Sequence, residues 1–290
     1  MDTKKIGVLA IIGASVMWAL EPVFAKLAYS NADFLQTSTI RAIVVALIAV
    51  LYVVLTKSKL HVTKKQLPKL IYIGIVGTVF ADLLYFFSLT QISVVNAVLI
   101  GHMQPIFIIL IGFFVLKEEK LTRYDYLGIF VMMVAGLLVT TKTLQNFSTL
   151  QLGTMGDLLV LLATVAWATT TIAMRKYLTD LNAGVLTFYR FSVASLVFIV
   201  YLLFTSSVTL SNVYQVIVGV IVGVGTILYY EGLKRIKAAQ VSALELSTPF
   251  FAAFLGFFVL GELVTLVQMF GIVLMIVGIY FLSKKEESFF

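Results

Sequence analysis

Ten stretches of this chain run for about the length of a bilayer crossing with hardly a charge in them: 6–28, 34–56, 70–90, 94–116, 126–141, 157–176, 183–204, 213–233, 238–260 and 265–282. A helix needs about 20 mostly apolar residues to cross the hydrocarbon core. With no water there to satisfy the backbone, only helices or closed barrels can span it. These runs are continuous rather than alternating, which excludes a barrel. The expected fold is an all-α integral membrane protein with ten transmembrane helices. The stretch at 126–141 is short for a full crossing. The connections leave no room for a soluble domain. The first stretch, behind Lys4 and Lys5, is longer than a signal-peptide core, and no obvious cleavage site follows it. It is expected to remain in the mature chain.

Composition agrees. Hydrophobic residues make up 61% and charged residues 12%, with a mean hydropathy of +1.06, whereas soluble chains average roughly 25% charged. Cysteine is absent, so there is neither a disulfide nor a thiolate metal site. The net charge of +7 reports topology rather than a polyanion site, and no nucleic-acid partner is expected. With the N-terminus cytoplasmic, all 21 basic residues except Lys26, Lys142, Arg41 and Arg190 fall at cytoplasmic ends. This is the positive-inside pattern. Both termini are therefore expected in the cytoplasm, in a multi-pass protein of the plasma (inner) membrane.

The chain also repeats itself. "PIFIILIGFFVLKEE" from Pro105 returns as "PFFAAFLGFFVLGEL" from Pro249, which pairs Gly112 with Gly256, Leu116 with Leu260 and Glu118 with Glu262, 144 residues apart. The same offset pairs Tyr85 with Tyr229 and Asn96 with Gln240. Earlier in each half the offset is 149: "WALEPVFAK" at Trp18 faces "WATTTIAMR" at Trp167, and Arg41 faces Arg190. Halves at 1–145 and 146–290 each hold five apolar stretches. An odd number makes the second copy enter from the opposite side, and the lysine distribution independently agrees. Inverted repeats are a recurring plan of secondary transporters, because exchanging the conformations of the halves turns the protein from one side to the other. A channel, or a helical bundle made by simple duplication, is the alternative.

An early Trp, a basic residue in the second stretch, a proline in the fourth and the "GFFVLxE" ending occur in both halves. In these features the chain resembles the EamA family of the drug/metabolite transporter superfamily over its whole length. The resemblance implies an exporter of amino acids or related small metabolites in the inner membrane, coupled to protons and needing no cofactor or metal. One departure stands out: Glu21–Pro22 in the first half meets Thr170–Thr171 in the second.

Charges inside the apolar stretches mark the interior of the bundle. Glu21, Arg41, Asp82, Arg190 and Glu245 lie within them, with His102 titratable and Glu231 nearer a boundary. Each ionised side chain at mid-bilayer costs about 2.5–3.5 kcal/mol. Five facing lipid would cost on the order of 12–17 kcal/mol, as much as a domain's net stability. They must face one another or a wet cavity. As repeat mates, Arg41 and Arg190 are expected in opposite halves of the membrane. Each either grips a substrate carboxylate through its forked donors or pairs with an acid. The acids in reach are Glu21 or Asp82 for Arg41, and Glu231 or Glu245 for Arg190.

The candidate cavity set is Trp18, Glu21, Arg41, Asp82, Tyr85, His102, Gln104, Trp167, Arg190, Tyr229 and Glu245. Pro22 frees the carbonyl of Trp18 beside Glu21. Asp82 shares a helical face with Thr78 and Tyr85, and Glu245 with Ser242 and Pro249. Glu21, Asp82, His102 and Glu245 are the candidates for proton coupling, since burial and neighbouring arginines can move a carboxylate's charge state and His titrates near neutrality. Glycines 74, 77, 219, 223 and 225 suit close helix packing. Glu118 and Glu262, just past their stretches, are expected to pair with other helix ends. The rival class is an intramembrane enzyme, but there is no His-Glu-x-x-His motif, Gly13-Ala14-Ser15-Val16 lacks the second glycine of a serine elbow, and His61 and His102 do not obviously converge.

Overall fold

The computed structural model describes residues 3–112, 114, 123–151, 153–178, 180–235, 241, 244–245 and 247–283. Among these there is no strand. The helices are α1 (Thr3–Ala28), α2 (Phe34–Leu55), α3 (Leu67–Tyr72), a π-helical stretch (Ile73–Asp82), α4 (Leu83–Ser88), α5 (Val94–Gly101), α6 (Gln104–Ile111) and α7 (Arg123–Thr141). They continue with α8 (Leu144–Ser148), α9 (Met155–Tyr177), α10 (Ala183–Thr205), α11 (Val213–Leu233), α12 (Ser247–Leu260) and α13 (Leu266–Ser283). Seven segments are long and apolar enough to cross a membrane: Lys5–Ala28, Phe34–Leu55, Leu67–Ser88, Val94–Ile111, Met155–Met174, Ala183–Thr205 and Val213–Leu233. Tyr126–Thr141, Ser247–Leu260 and Leu266–Phe281 are apolar but shorter. Each of the ten apolar stretches thus overlaps one of these helices.

Short polar residues start the helices where the chain turns. Asp33 caps α2 by accepting from the Gln36 amide, and Ser93 caps α5 through Asn96. Thr154 with Asp157, and Asn212 with Gln215, form reciprocal capping boxes on α9 and α11. Pro105 interrupts the fourth stretch. Its ring leaves no amide to donate, so α5 stops at Gly101 and α6 starts at Gln104, with His102 closing the first piece. The third stretch is continuous but under-wound into π geometry for ten residues, a form that clusters at functional sites. It delivers Thr78 and Asp82 to the interior.

Packing pairs α1 with α11, α2 with both α10 and α11, the π stretch with α9 and α10, α12 with α1 and α5, and α7 with α13. Val23, Val45, Phe86, Leu99, Phe191 and Ala252 belong to one buried apolar cluster that joins several of these helices. Leu47, Leu51, Phe204 and Phe254 point outward, as lipid-facing residues must.

Two glycines bring helices of the two halves close together. A Cβ on Gly74 would lie 2.8 Å from Val193 Cβ and 3.0 Å from the Arg190 carbonyl oxygen. On Gly219 it would lie 2.5 Å from Val44 Cβ and 3.2 Å from the Arg41 carbonyl oxygen. Backbone cannot swing aside as a side chain can. Gly74→Ala and Gly219→Ala are therefore each expected to cost about 1–3 kcal/mol. Gly112→Ala, with nothing within 4 Å, is expected to be neutral or to gain up to about 1 kcal/mol. Melting temperatures in detergent check the ordering.

Candidate functional site

Four charges from four elements meet in one chain inside the bundle. Glu21 sits on α1 immediately before Pro22, Arg41 on α2, Asp82 at the end of the π stretch and Arg190 on α10. Arg41 Nη1 donates to Glu21 Oε1 at 3.1 Å, and its Nη2 donates to Asp82 Oδ2 at 3.0 Å. Arg190 Nη2 reaches the other oxygen of Asp82 at 3.3 Å. The order is acid, base, acid, base, and the formal charges cancel. Such cancellation is what makes the assembly tolerable away from water.

Both guanidinium groups are held by several partners, although Arg41 Nε is buried without a hydrogen bond. Arg41 is 1% exposed, and its planar head lies 4.2 Å from the Phe86 ring centroid and 5.7 Å from that of Phe191. Arg190 donates from Nε to Thr78 Oγ1 at 2.8 Å, from Nη1 to Tyr230 Oη at 3.4 Å and from Nη2 to the Gly77 carbonyl at 3.3 Å. Trp167 Nε1 donates to Asp82 Oδ1 at 2.7 Å and lies 3.1 Å from that same carbonyl. Asp82 thus accepts from three donors on three helices. Glu21 and Arg190 retain side-chain exposures of 14% and 13%, which makes them the most accessible members of the chain.

The geometry corrects one expectation. Both Arg41 and Arg190 converge on Asp82. Arg41 takes the two acids expected of it, whereas Arg190 takes Asp82 instead of Glu231 or Glu245. Glu231 is engaged at the end of α11 by Arg235 and, at 3.9 Å, by Lys234. The physical reason lies in the repeat. The second-half counterpart of Glu21 is Thr170, and that of Asp82 is Thr226, so Arg190 must borrow an acid across the interface between the halves.

The other predicted residues lie beside this row or apart from it. Trp18 packs on Tyr229 with ring centroids 4.8 Å apart, and Trp167 packs on Tyr85 at 5.3 Å. Gln104 Nε2 donates to Thr171 Oγ1 at 2.8 Å. The His102 ring is set against the Val98 carbonyl at 2.7 Å and the backbone of Glu245, away from the four charges. Glu118, Gln240 and Ser242 lie outside the described residues.

Sequence reasoning missed Tyr230, Phe86, Phe191 and the Gly77 carbonyl. Phe86 and Phe191 adjoin Tyr85 and Arg190 in sequence, which was the available signal. A second buried polar group was missed as well: Asn96 donates to Asp157 at 2.9 Å and accepts from Gln268 at 2.6 Å. It fixes the start of α5 to α9 and α13. Among the described residues no cluster of three or more His, Asp or Glu is placed to hold a metal.

The sequence matches the EamA-like transporter family twice, over residues 5–141 and 154–284. The uncharacterized transporter YyaM of Bacillus subtilis (strain 168) is 29% identical over 225 residues, covering 74% of this chain and 73% of that protein. The pseudopaline exporter CntI of Pseudomonas aeruginosa is 24% identical over 197 residues, which covers 68% of this chain and 66% of CntI. A protein crystal structure aligns with a TM-score of 0.67 over 95% of both chains at 13% identity, a likeness of fold.

Proposed function

We propose that this chain, a multi-pass membrane transporter that belongs to the EamA-like transporter family, exports amino acids or related small metabolites across the plasma membrane by alternating access coupled to protons. In this reading the ten apolar stretches are ten crossings, arranged as inverted five-helix repeats at 1–145 and 146–290 with both termini cytoplasmic. One relation in the packing carries it. Helix α1 lies on α11, and the π stretch lies on α9, so the first helix of each half rests on the third helix of the other. Side chains follow the same exchange. Trp18 on Tyr229 answers Trp167 on Tyr85, and Gly219 on Val44 answers Gly74 on Val193. Halves that use equivalent surfaces reciprocally can exchange conformations without new contacts, which is the basis of rocking around a central site.

A neutral row of opposed acids and arginines suits a zwitterion, whose own charges cancel, better than a net ion. The partly exposed Glu21 and Arg190 are the members a substrate could reach, with Trp18 and Tyr229 beside them. The relative CntI, a pseudopaline exporter, supports the outward direction. Glu21, Asp82, His102 and Glu245 are the proton-coupling candidates.

The test is counterflow. Purified protein in substrate-preloaded vesicles is expected to accelerate uptake of labelled amino acid; steady conductance would instead mean a channel, and chemical change of the substrate an enzyme. Replacing all four titratable groups is expected to remove the dependence on an imposed pH gradient. If pH-driven uptake survives unchanged, proton coupling through them is wrong.

A further inference from the structure

The connection between α2 and α3 is strapped to the bundle along its length. Helix α2 ends in a Schellman turn, in which the Ser58 amide donates to the Val53 carbonyl and the Lys57 amide to the Val54 carbonyl, both at 3.0 Å. Lys57 occupies the left-handed position of that turn, with a φ of +51°, where glycine is favoured. Beyond it the residues alternate. Lys57, Lys59, His61 and Thr63 are exposed, whereas Ser58, Leu60 and Val62 are half-buried. Asn182 Nδ2 donates to Ser58 Oγ at 3.0 Å, and Tyr189 Oη donates to the Leu60 carbonyl at 2.9 Å. Val62 packs against the buried cluster that contains Leu70, Met174 and Leu186. Thr63 and Gln66 then hold each other's amides, at 2.9 and 3.3 Å, and open α3.

The outward row is basic. Lys57, Lys59, Lys64 and Lys65 are exposed, and Lys69 follows on α3. The chain carries no acid between Asp33 and Asp82. Among the described residues no carboxylate pairs with any of these lysines. Glu231, at the adjoining end of α11, is engaged by Arg235. Asp180, on the neighbouring connection, lies within electrostatic reach of Lys234. The lysine charges are therefore left uncompensated by the protein.

Both flanking segments, Phe34–Leu55 and Leu67–Ser88, are long and apolar enough to cross a membrane, so the row lies at a bilayer surface. Val54 and Leu55 before it, and Leu67 and Ile71 after it, are exposed apolar residues. The ammonium groups thus stand directly beside lipid-facing side chains. Tyr177, 47% exposed, marks the same level. Lys69 Nζ lies 3.9 Å from its ring centroid, and tyrosines concentrate at the headgroup layer. Topology asks only that lysines be on one side of the membrane. It does not ask that they be strapped into a row, or that a lysine take a turn position suited to glycine, a strain of the kind kept where a side chain is used.

We propose that the α2–α3 connection is a docking surface for an anionic phospholipid. Its phosphodiester headgroup meets Lys57, Lys59, Lys64 and Lys65, and its acyl chains lie along Val54, Leu55, Leu67 and Ile71. Charge complementarity selects the headgroup, since each lysine near the surface favours anionic over neutral lipid. The straps spare the site the cost of gathering loose ammonium groups. The apolar neighbours select a lipid over a soluble phosphate. Asn182 caps α10 and Tyr189 lies on it, next to Arg190, so a bound lipid braces the helix that carries one base of the charge row. The docking requires only that α2 and α3 cross the membrane, and it stands whichever way the termini face.

The test is native mass spectrometry of the full-length protein released from nanodiscs of equal parts phosphatidylglycerol and phosphatidylcholine. The unmutated protein is expected to retain phosphatidylglycerol over phosphatidylcholine by about tenfold or more. Lys57→Gln, Lys59→Gln, Lys64→Gln and Lys65→Gln together are expected to remove most of that preference. Lys57→Gly alone is expected to lower the ratio several-fold while the melting temperature holds or rises, because glycine suits the left-handed turn. Tyr189→Phe keeps every charge but releases one strap, and is expected to lower the ratio as well. Equal retention of the two lipids by the unmutated protein, or an unchanged ratio in the fourfold variant, overturns the docking surface. An unchanged ratio in Lys57→Gly or Tyr189→Phe overturns the held row. If inorganic phosphate displaces the retained phosphatidylglycerol, the occupant is a soluble phosphate and the lipid assignment falls. Counterflow plays no part in these readouts, so they stand or fall apart from the transport reading.

Discussion

Asp82→Asn is expected to destabilise the folded protein by about 3–5 kcal/mol and to abolish counterflow. The substitution keeps the shape and removes only the charge. Asp82 is the one acid shared by Arg41 and Arg190, and it also accepts the Trp167 indole. Without its charge, two buried guanidinium groups are left with Glu21 alone, which touches only Arg41. The asparagine amide would moreover turn a donor towards one of the arginines, which has only donors to offer. Leaving a buried charge without its partner carries the full desolvation penalty. Thermal unfolding in detergent should show a melting temperature lower by on the order of 10 °C. A variant that melts normally and still transports would mean that the charge row is dispensable.

How much of this was readable beforehand follows from what kind of signal each feature leaves. The apolar runs and the repeat are one-dimensional patterns, and an apolar helix overlaps each run. That the internal charges face inward follows from the cost of leaving them in lipid, and the Arg41 partners follow from counting acids in the same half. The Arg190 partner does not. Repeat logic sends it to positions held by Thr170 and Thr226, neither of them an acid, and no sequence spacing says that the pairing crosses to the other half.

The π stretch was equally hidden, since Ile73–Asp82 reads like any apolar helix and nothing in its residue types marks the looser π winding. The break at His102 was announced by Pro105. The pairing expected of Glu262 was legible as a charge beyond a helix end, and it meets Lys26; the Val94 and Val95 amides at the start of α5, which it also captures, were not. Arg41 illustrates the limit for the site. Its residue type fits substrate gripping and ion pairing equally well, and its burial between Phe86 and Phe191 decides for the pair in this state.

Net charge separates the structural role of the row from its role in transport. Arg41→Met alone leaves Glu21 buried without a counter-charge, and Glu21→Gln alone leaves the row one positive charge in excess. Each is expected to cost about 3–5 kcal/mol. The double variant, Glu21→Gln with Arg41→Met, removes one acid and one base together, while Asp82 keeps Arg190, Trp167 and neutrality. Methionine also fills the slot against Phe86 with an adaptable apolar chain. Replacing a buried pair in this way is often neutral for stability, so the double variant is expected to melt within a few degrees of the unmutated protein. A large positive coupling between the two sites in the double-mutant cycle is the direct readout. Counterflow then isolates Glu21. If that carboxylate meets the substrate or carries the proton, the double variant folds and fails to transport; if the pair only braces α1 against α2, folding and transport return together.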